Sequence, residues 1–132
     1  MSTIPYNRDI LVVDDDPVIR DMMVDIFELE GYPVSVARNG REALEKMRQD
    51  EHFLVFLDLM MPVMNGLQLC QQLQAEPEVR QRHVLIIMSA IDNLAEAASL
   101  NVDATMPKPF SVDDIFRIIQ PYLSPEQPEE TN

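Results

Sequence analysis

The sequence predicts a doubly wound α/β fold, with one five-stranded parallel sheet covered by helices on both faces. Two observations carry this. Short unbroken runs of Val, Ile, Leu and Phe recur along the chain, and a strand can be continuously apolar only where both its faces are covered. Segments with apolar residues three and four apart separate those runs. Strict alternation of strand and helix is the pattern of a parallel sheet with crossover helices.

Residues 10–13 form the first strand. Asp16 then offers an N-cap and Pro17 a first helical turn. Val18, Met22, Ile26 and Leu29 follow at helical spacing as the expected core stripe, and Gly31 closes the segment. A second strand at 34–37 precedes a helix over 40–50 with Ala43, Leu44 and Met47 on one face. A third strand at 53–57 precedes a helix over 66–75 with Leu69, Cys70 and Leu73 inward. A fourth at 84–88 leads to a weakly amphipathic helix over 92–100, carrying Leu94, Ala95, Ala98 and Leu100. The fifth strand, 104–106, is weaker and meets Pro107, which has no N–H for a ladder, so it lies at a sheet edge or ends there. Ser111 and Asp114 make a capping-box pattern ahead of Val112, Ile115, Ile118, Ile119 and Tyr122. Five such units favour the strand order 2-1-3-4-5. Residues 1–123 form the domain, and 124–132, acidic and Pro-containing, read as a tail or the start of a linker.

The composition excludes several classes of function. Ten basic and 23 acidic residues give a formal net charge of −13, which repels nucleic acid and anionic membranes and attracts cations. No apolar run approaches the roughly 18 residues of a membrane span. The first nine residues lack the apolar core of a signal peptide, so a cytoplasmic location is expected. Cys70 is the single cysteine. It cannot form an internal disulfide and reads as a buried, inert thiol.

In a parallel sheet all carboxyl ends open on one edge, and ligands bind there where the strand order reverses, between the first and third strands. Asp14, Asp15 and Asp16 follow the first strand, Asp58 the third, Ser89 the fourth and Lys108 the fifth. Each alone is an ordinary turn former, cap or surface group. Together they are carboxylates that repel, by roughly 4 kcal/mol for two charges about 4 Å apart. A hard divalent cation resolves the conflict: Mg²⁺ takes one or two carboxylates and keeps positions for water and phosphate. Ser89 and Lys108 offer further donors to phosphate oxygens.

The stretches Ile-Leu-Val-Val-Asp-Asp-Asp-Pro (residues 10–17), Phe-Leu-Asp-Leu-Met-Met-Pro-Val-Met-Asn-Gly (56–66), Met-Ser-Ala (88–90) and Lys-Pro-Phe (108–110) resemble, in order and spacing, the receiver domains of two-component response regulators. The resemblance spans about residues 9–123 and implies a flavodoxin-like fold of the chemotaxis-regulator kind. It also implies a role for each residue. Asp58 accepts the phosphoryl group. Asp14 and Asp15 hold Mg²⁺ together with Asp58 and the carbonyl of Met60. Ser89 hydrogen-bonds the phosphoryl group, and Lys108, ahead of a cis peptide bond to Pro109, pairs with it. The donor is a sensor histidine kinase or a histidine phosphotransfer protein. The readout is the face formed by 92–100, the fifth strand and the last helix, in a monomer or a weak phosphorylation-dependent dimer. The chain is then a switch rather than an enzyme, beyond its own phosphorylation and slow autodephosphorylation.

Three features depart from the family pattern. Thr105 stands where an aromatic switch residue is usual, Asn101-Val102 replaces a common Gly-Ala pair, and Pro107 precedes the lysine. Neither His52 nor His83 falls at the carboxyl edge, so neither is expected to donate phosphate. Residues 13–18 also resemble the start of haloacid-dehalogenase-type phosphatases, with Asp14 as nucleophile, but that reading leaves Asp58 and its Met-Met-Pro turn unexplained.

Overall fold

The computed structural model describes residues 8–90, 95 and 99–123. Strands β1 (Asp9–Val13), β2 (Val34–Ala37), β3 (Phe53–Asp58), β4 (Val84–Ala90) and β5 (Ala104–Lys108) form one parallel sheet in the order β2-β1-β3-β4-β5. Side chains alternate across the pleat, and the apolar runs divide accordingly. Leu11, Val13, Val55, Leu57, Leu85 and Ile87 enter one core layer with helices α2 (Gly40–Met47) and α3 (Gly66–Gln74). Ile10, Val12, Leu54, Phe56, Ile86 and Met88 enter the other with α1 (Pro17–Leu29) and α5 (Val112–Ile119). A short helix between α3 and β4, α4 (Pro77–Arg80), was not anticipated; it sets Pro77 in its first turn and Val79 in the core.

Three strands run further than their apolar residues suggest. Asp58 pairs with Met88, Ser89 with Pro107 and Ala90 with Lys108. The functional residues therefore lie within the last ladder positions of β3, β4 and β5 rather than after them. Backbone pairing depends on a neighbouring strand, not on an apolar side chain, so it outlasts the hydrophobic run. Pro107 is tolerated inside β5 because an edge strand has one unpaired side.

The stripe expected on α1 is rotated. Met23 and Phe27 are buried, with Ile19 and Ile26 packed beside them, whereas Val18, Met22 and Leu29 are 71 %, 38 % and 85 % exposed. Phe27 sets the phase, because its ring meets Phe56, Tyr32 and Phe116 at centroid separations of 5.4, 5.7 and 5.9 Å. In α5 both capping-box hydrogen bonds between Ser111 and Asp114 form, Ile115 and Ile119 are buried, and Val112 faces outward. The helix expected over 92–100 falls largely outside the described residues. Asn101 adopts φ 59°, a conformation that asparagine tolerates where the family pattern has glycine.

At the opposite, amino edge His83 is a structural tie. Its Nδ1 accepts the Phe53 N–H at 3.1 Å, so its Nε2–H donates to the Met47 carbonyl at 2.9 Å. Burial pushes its pKa down to about 4. Cys70 is buried, and burial raises its thiol to about 11, as an inert group requires.

Candidate functional site

The register explains why residues distant in sequence meet. Val13 pairs with Leu57 across the β1–β3 ladder, so Asp14 and Asp58, each one residue further on, end adjacent strands side by side. This is the point where strand order reverses. Asp14, Asp15 and Asp58 each offer a carboxylate oxygen, and these atoms all lie within 4.8 Å of one another. Asp14 is 1 % and Asp58 6 % exposed, while Asp15 is open to solvent.

Lys108 reaches in from the end of β5. Its Nζ lies 3.3 Å from Asp14 Oδ2 and 3.5 Å from Asp58 Oδ1, bridging the two buried carboxylates. The Lys108–Pro109 peptide bond is cis, as the resemblance implies. Asp58 Oδ1 also accepts the Met60 N–H at 3.4 Å. Burial, then the charge of Asp14, raises Asp58 to about 6, against the opposing pull of Lys108 and the Met60 amide. Three carboxylates face one ammonium, and two charges about 4.8 Å apart repel by roughly 3 kcal/mol. All-oxygen, anionic and only partly neutralised, this donor set fits a hard divalent cation such as Mg²⁺.

Ser89 is 1 % exposed, and among the described residues its Oγ has no hydrogen-bond partner. A buried unpaired hydroxyl costs about 1–3 kcal/mol, which marks it as a donor without its acceptor. Asp16 takes the capping role expected of it: its carboxylate accepts the Val18 N–H at 2.9 Å. Met60 itself is 64 % exposed. Where an aromatic would fill space, Thr105 instead borders a hollow of about 320 Å³ with Met106, Pro107, Asp114, Arg117 and Ile118.

Two contributors escaped the sequence reading. A Cβ on Gly66 would stand 2.6 Å from the Asp58 carbonyl oxygen and 2.8 Å from Leu59 Cα, so only glycine lets α3 start against the end of β3. Arg20 Nη1 donates to the Asp14 carbonyl at 2.9 Å. The glycine was visible as a helix start but not as a close approach, and no spacing rule ties an arginine in α1 to a strand-end carbonyl.

This fold and this acidic edge define a signalling receiver, and comparison with known proteins agrees. The chain belongs to the response regulator receiver domain family, whose model matches residues 10–120. It is 31 % identical over 121 residues to the response regulator MprA of Mycolicibacterium vanbaalenii, a match covering 92 % of this chain and 52 % of that protein. The chain thus spans about half the length of the curated relatives it matches. Among solved structures it resembles the receiver domain of a signal transduction histidine kinase from Syntrophus aciditrophicus, with 26 % identity, a TM-score of 0.80 and coverage of 93 % and 95 % of the two chains. It also resembles the response regulator TrrA of Thermotoga maritima, solved in complex with Mg²⁺–BeF, with 29 % identity, a TM-score of 0.77 and coverage of 88 % and 99 %. No helix among the described residues is long and apolar enough to cross a membrane.

Proposed function

We propose that this receiver takes a phosphoryl group on Asp58 from the phosphohistidine of a sensor histidine kinase or histidine phosphotransfer protein, using Mg²⁺, and signals through the face that includes β5 and α5. The observation that carries this is the cluster of Asp14, Asp15 and Asp58 within 4.8 Å, with Lys108 bridging Asp14 and Asp58. A nucleophilic role for Asp14, as in a phosphatase, fits poorly. Its Oδ1 accepts the Asp16 N–H at 3.0 Å and its Oδ2 faces Lys108.

With a pKa raised to about 6, Asp58 is still mostly ionised at neutral pH and can act as a nucleophile. Its Oδ1 is occupied by Lys108 and the Met60 N–H, which leaves Oδ2 to attack. The new Oδ2–P bond forms as the P–N bond to imidazole breaks, and the imidazole nitrogen leaves with the electron pair. Asp14, Asp15, Asp58 and the Met60 carbonyl would hold Mg²⁺, which would supply positive charge against the phosphoryl oxygens. Lys108 adds a second cation at Asp58. Ser89 gives its unpaired hydroxyl to a phosphoryl oxygen, which relieves the penalty it carries alone and biases β4 toward the modified state. The receiver unit is residues 1–123, with 124–132 as tail or linker, in a protein acting in the cytoplasm.

Beryllofluoride, a stand-in for the phosphoryl group, tests the reading. With Mg²⁺ present it shifts the amide resonances of Asp58, Ser89 and Lys108 and those of β5 and α5, and without Mg²⁺ it does not. Shifts confined to the amino edge around His83 contradict it.

A further inference from the structure

Asp14 is held at every polar atom. Its N–H donates to the Ala37 carbonyl at 3.1 Å, its Oδ1 accepts the Asp16 N–H at 3.0 Å, and its Oδ2 faces Lys108 Nζ at 3.3 Å. The fourth atom, its main-chain carbonyl, accepts from Arg20 Nη1 at 2.9 Å. The first three contacts are backbone groups or belong to the pocket itself. Arg20 belongs to neither. It sits in α1, where its own N–H bonds the Asp16 carbonyl, and its side chain crosses back over the turn it follows.

We infer that Arg20 is a positioning residue for the acidic site: it holds the β1–α1 turn so that the Asp14 and Asp15 carboxylates stay where Mg²⁺ binds. This deepens, and rests on, the reading of Asp14, Asp15 and Asp58 as the metal site. The turn needs an external hold because it concentrates repulsion. Asp14 and Asp15 are consecutive, Asp58 faces both within 4.8 Å, and the pocket's own cation, Lys108, lies on the β5 side. Relaxation of that repulsion would swing the turn away from β3; the β1–β3 pairing ends at Val13, and the one ladder bond beyond it among the described residues, from the Asp14 N–H to the Ala37 carbonyl, runs to β2 and does not hold the turn to β3. A guanidinium on the Asp14 carbonyl does oppose it, at an atom other than the carboxylate oxygens that would take the metal. Groups that orient metal ligands in this way typically contribute tenfold or more to affinity.

The sign of the effect separates positioning from simple charge. Removing a nearby positive charge alone tightens cation binding, whereas removing a brace loosens it. Arg20→Met keeps an apolar stem and removes both donor and charge, and Arg20→Lys keeps a charge and one donor. Mg²⁺ alone is titrated into the full chain, followed by the amide shifts of Asp15 and Met60, with the melting temperature in EDTA measured alongside. Arg20→Met is expected to weaken Mg²⁺ binding about tenfold with little change in the metal-free melting temperature, and Arg20→Lys to recover most of the loss. Unchanged or tighter binding in Arg20→Met overturns the inference. So does an equal weakening in both variants that tracks an equal fall in metal-free stability, which makes Arg20 merely structural. If wild type itself shows no saturable Mg²⁺ shifts at these residues, the metal-site reading has failed, not the role of Arg20 alone.

Discussion

Replacing Asp58 by asparagine should make the metal-free protein more stable, although it removes the proposed reactive group. Asp58 is 6 % exposed and titrates near 6, about two pH units above an ordinary aspartate, and each unit is worth about 1.36 kcal/mol. The folded state therefore binds more protons than the unfolded state between about pH 4 and 6. The stability contributed by the protonated carboxyl is full below pH 4 and is lost as pH rises through 6. At pH 7.5 wild type should lie up to about 3 kcal/mol below Asp58→Asn, close to 10 °C in melting temperature for a domain of this size. At pH 4.5 the gap should narrow to about 1 kcal/mol. Urea unfolding in EDTA at the two pH values measures both. Millimolar Mg²⁺ should then raise wild type by about 2.7 kcal/mol at a hundredfold excess over its dissociation constant, and the variant by less. An Asp58→Asn protein no more stable than wild type at pH 7.5, or a gap independent of pH, refutes the reasoning.

Three further outcomes follow from the structure. His83, held near 4 by burial, makes the folded state bind fewer protons than the unfolded one between pH 4 and 6.5; in the Asp58→Asn background urea stability should fall by about 2 kcal/mol from pH 6.5 to 4.5, and an added His83→Gln should flatten that slope. Gly66→Ala, whose Cβ meets the Asp58 carbonyl at 2.6 Å, should cost about 1–3 kcal/mol by overpacking and weaken Mg²⁺ binding, whereas Ala at the exposed Val63 should do neither. Met60→Asn, at an exposed position two residues after the acceptor, should speed loss of the phosphoryl group about tenfold by orienting water, read by the decay of the phosphoprotein mass.

The fold was legible because β1, β3 and β4 carry apolar residues on both faces, as the central strands of a covered parallel sheet must, and because the helices between them had an apolar period. The acidic edge was legible because topology alone brings all carboxyl ends together. Helix phase was not. Apolar residues surround more than half of α1, so Val18, Met22 and Leu29 match the spacing as well as Met23 and Phe27, and only the ring cluster of Phe27 with Phe56 and Phe116 decides between them. Strand ends were not, because ladder hydrogen bonds carry no side-chain signature: the apolar runs end β3 one residue early and β4 and β5 two residues early, which puts Asp58, Ser89 and Lys108 after their strands instead of within them. The hold of Arg20 on Asp14 was invisible for the same reason: its acceptor is a main-chain carbonyl, which every residue has.

The central claim is that Asp58 is the phosphoryl acceptor. Incubation with acetyl phosphate and Mg²⁺, followed by intact mass measurement, tests it directly. Wild type should gain the mass of one phosphoryl group, and EDTA should abolish the gain. Asp58→Asn should gain nothing, while Asp14→Asn, which keeps the acceptor, should label more slowly but at the same residue. Labelling of Asp58→Asn to the wild-type extent, or a phosphoryl group mapped to Asp14 in wild type, contradicts the account.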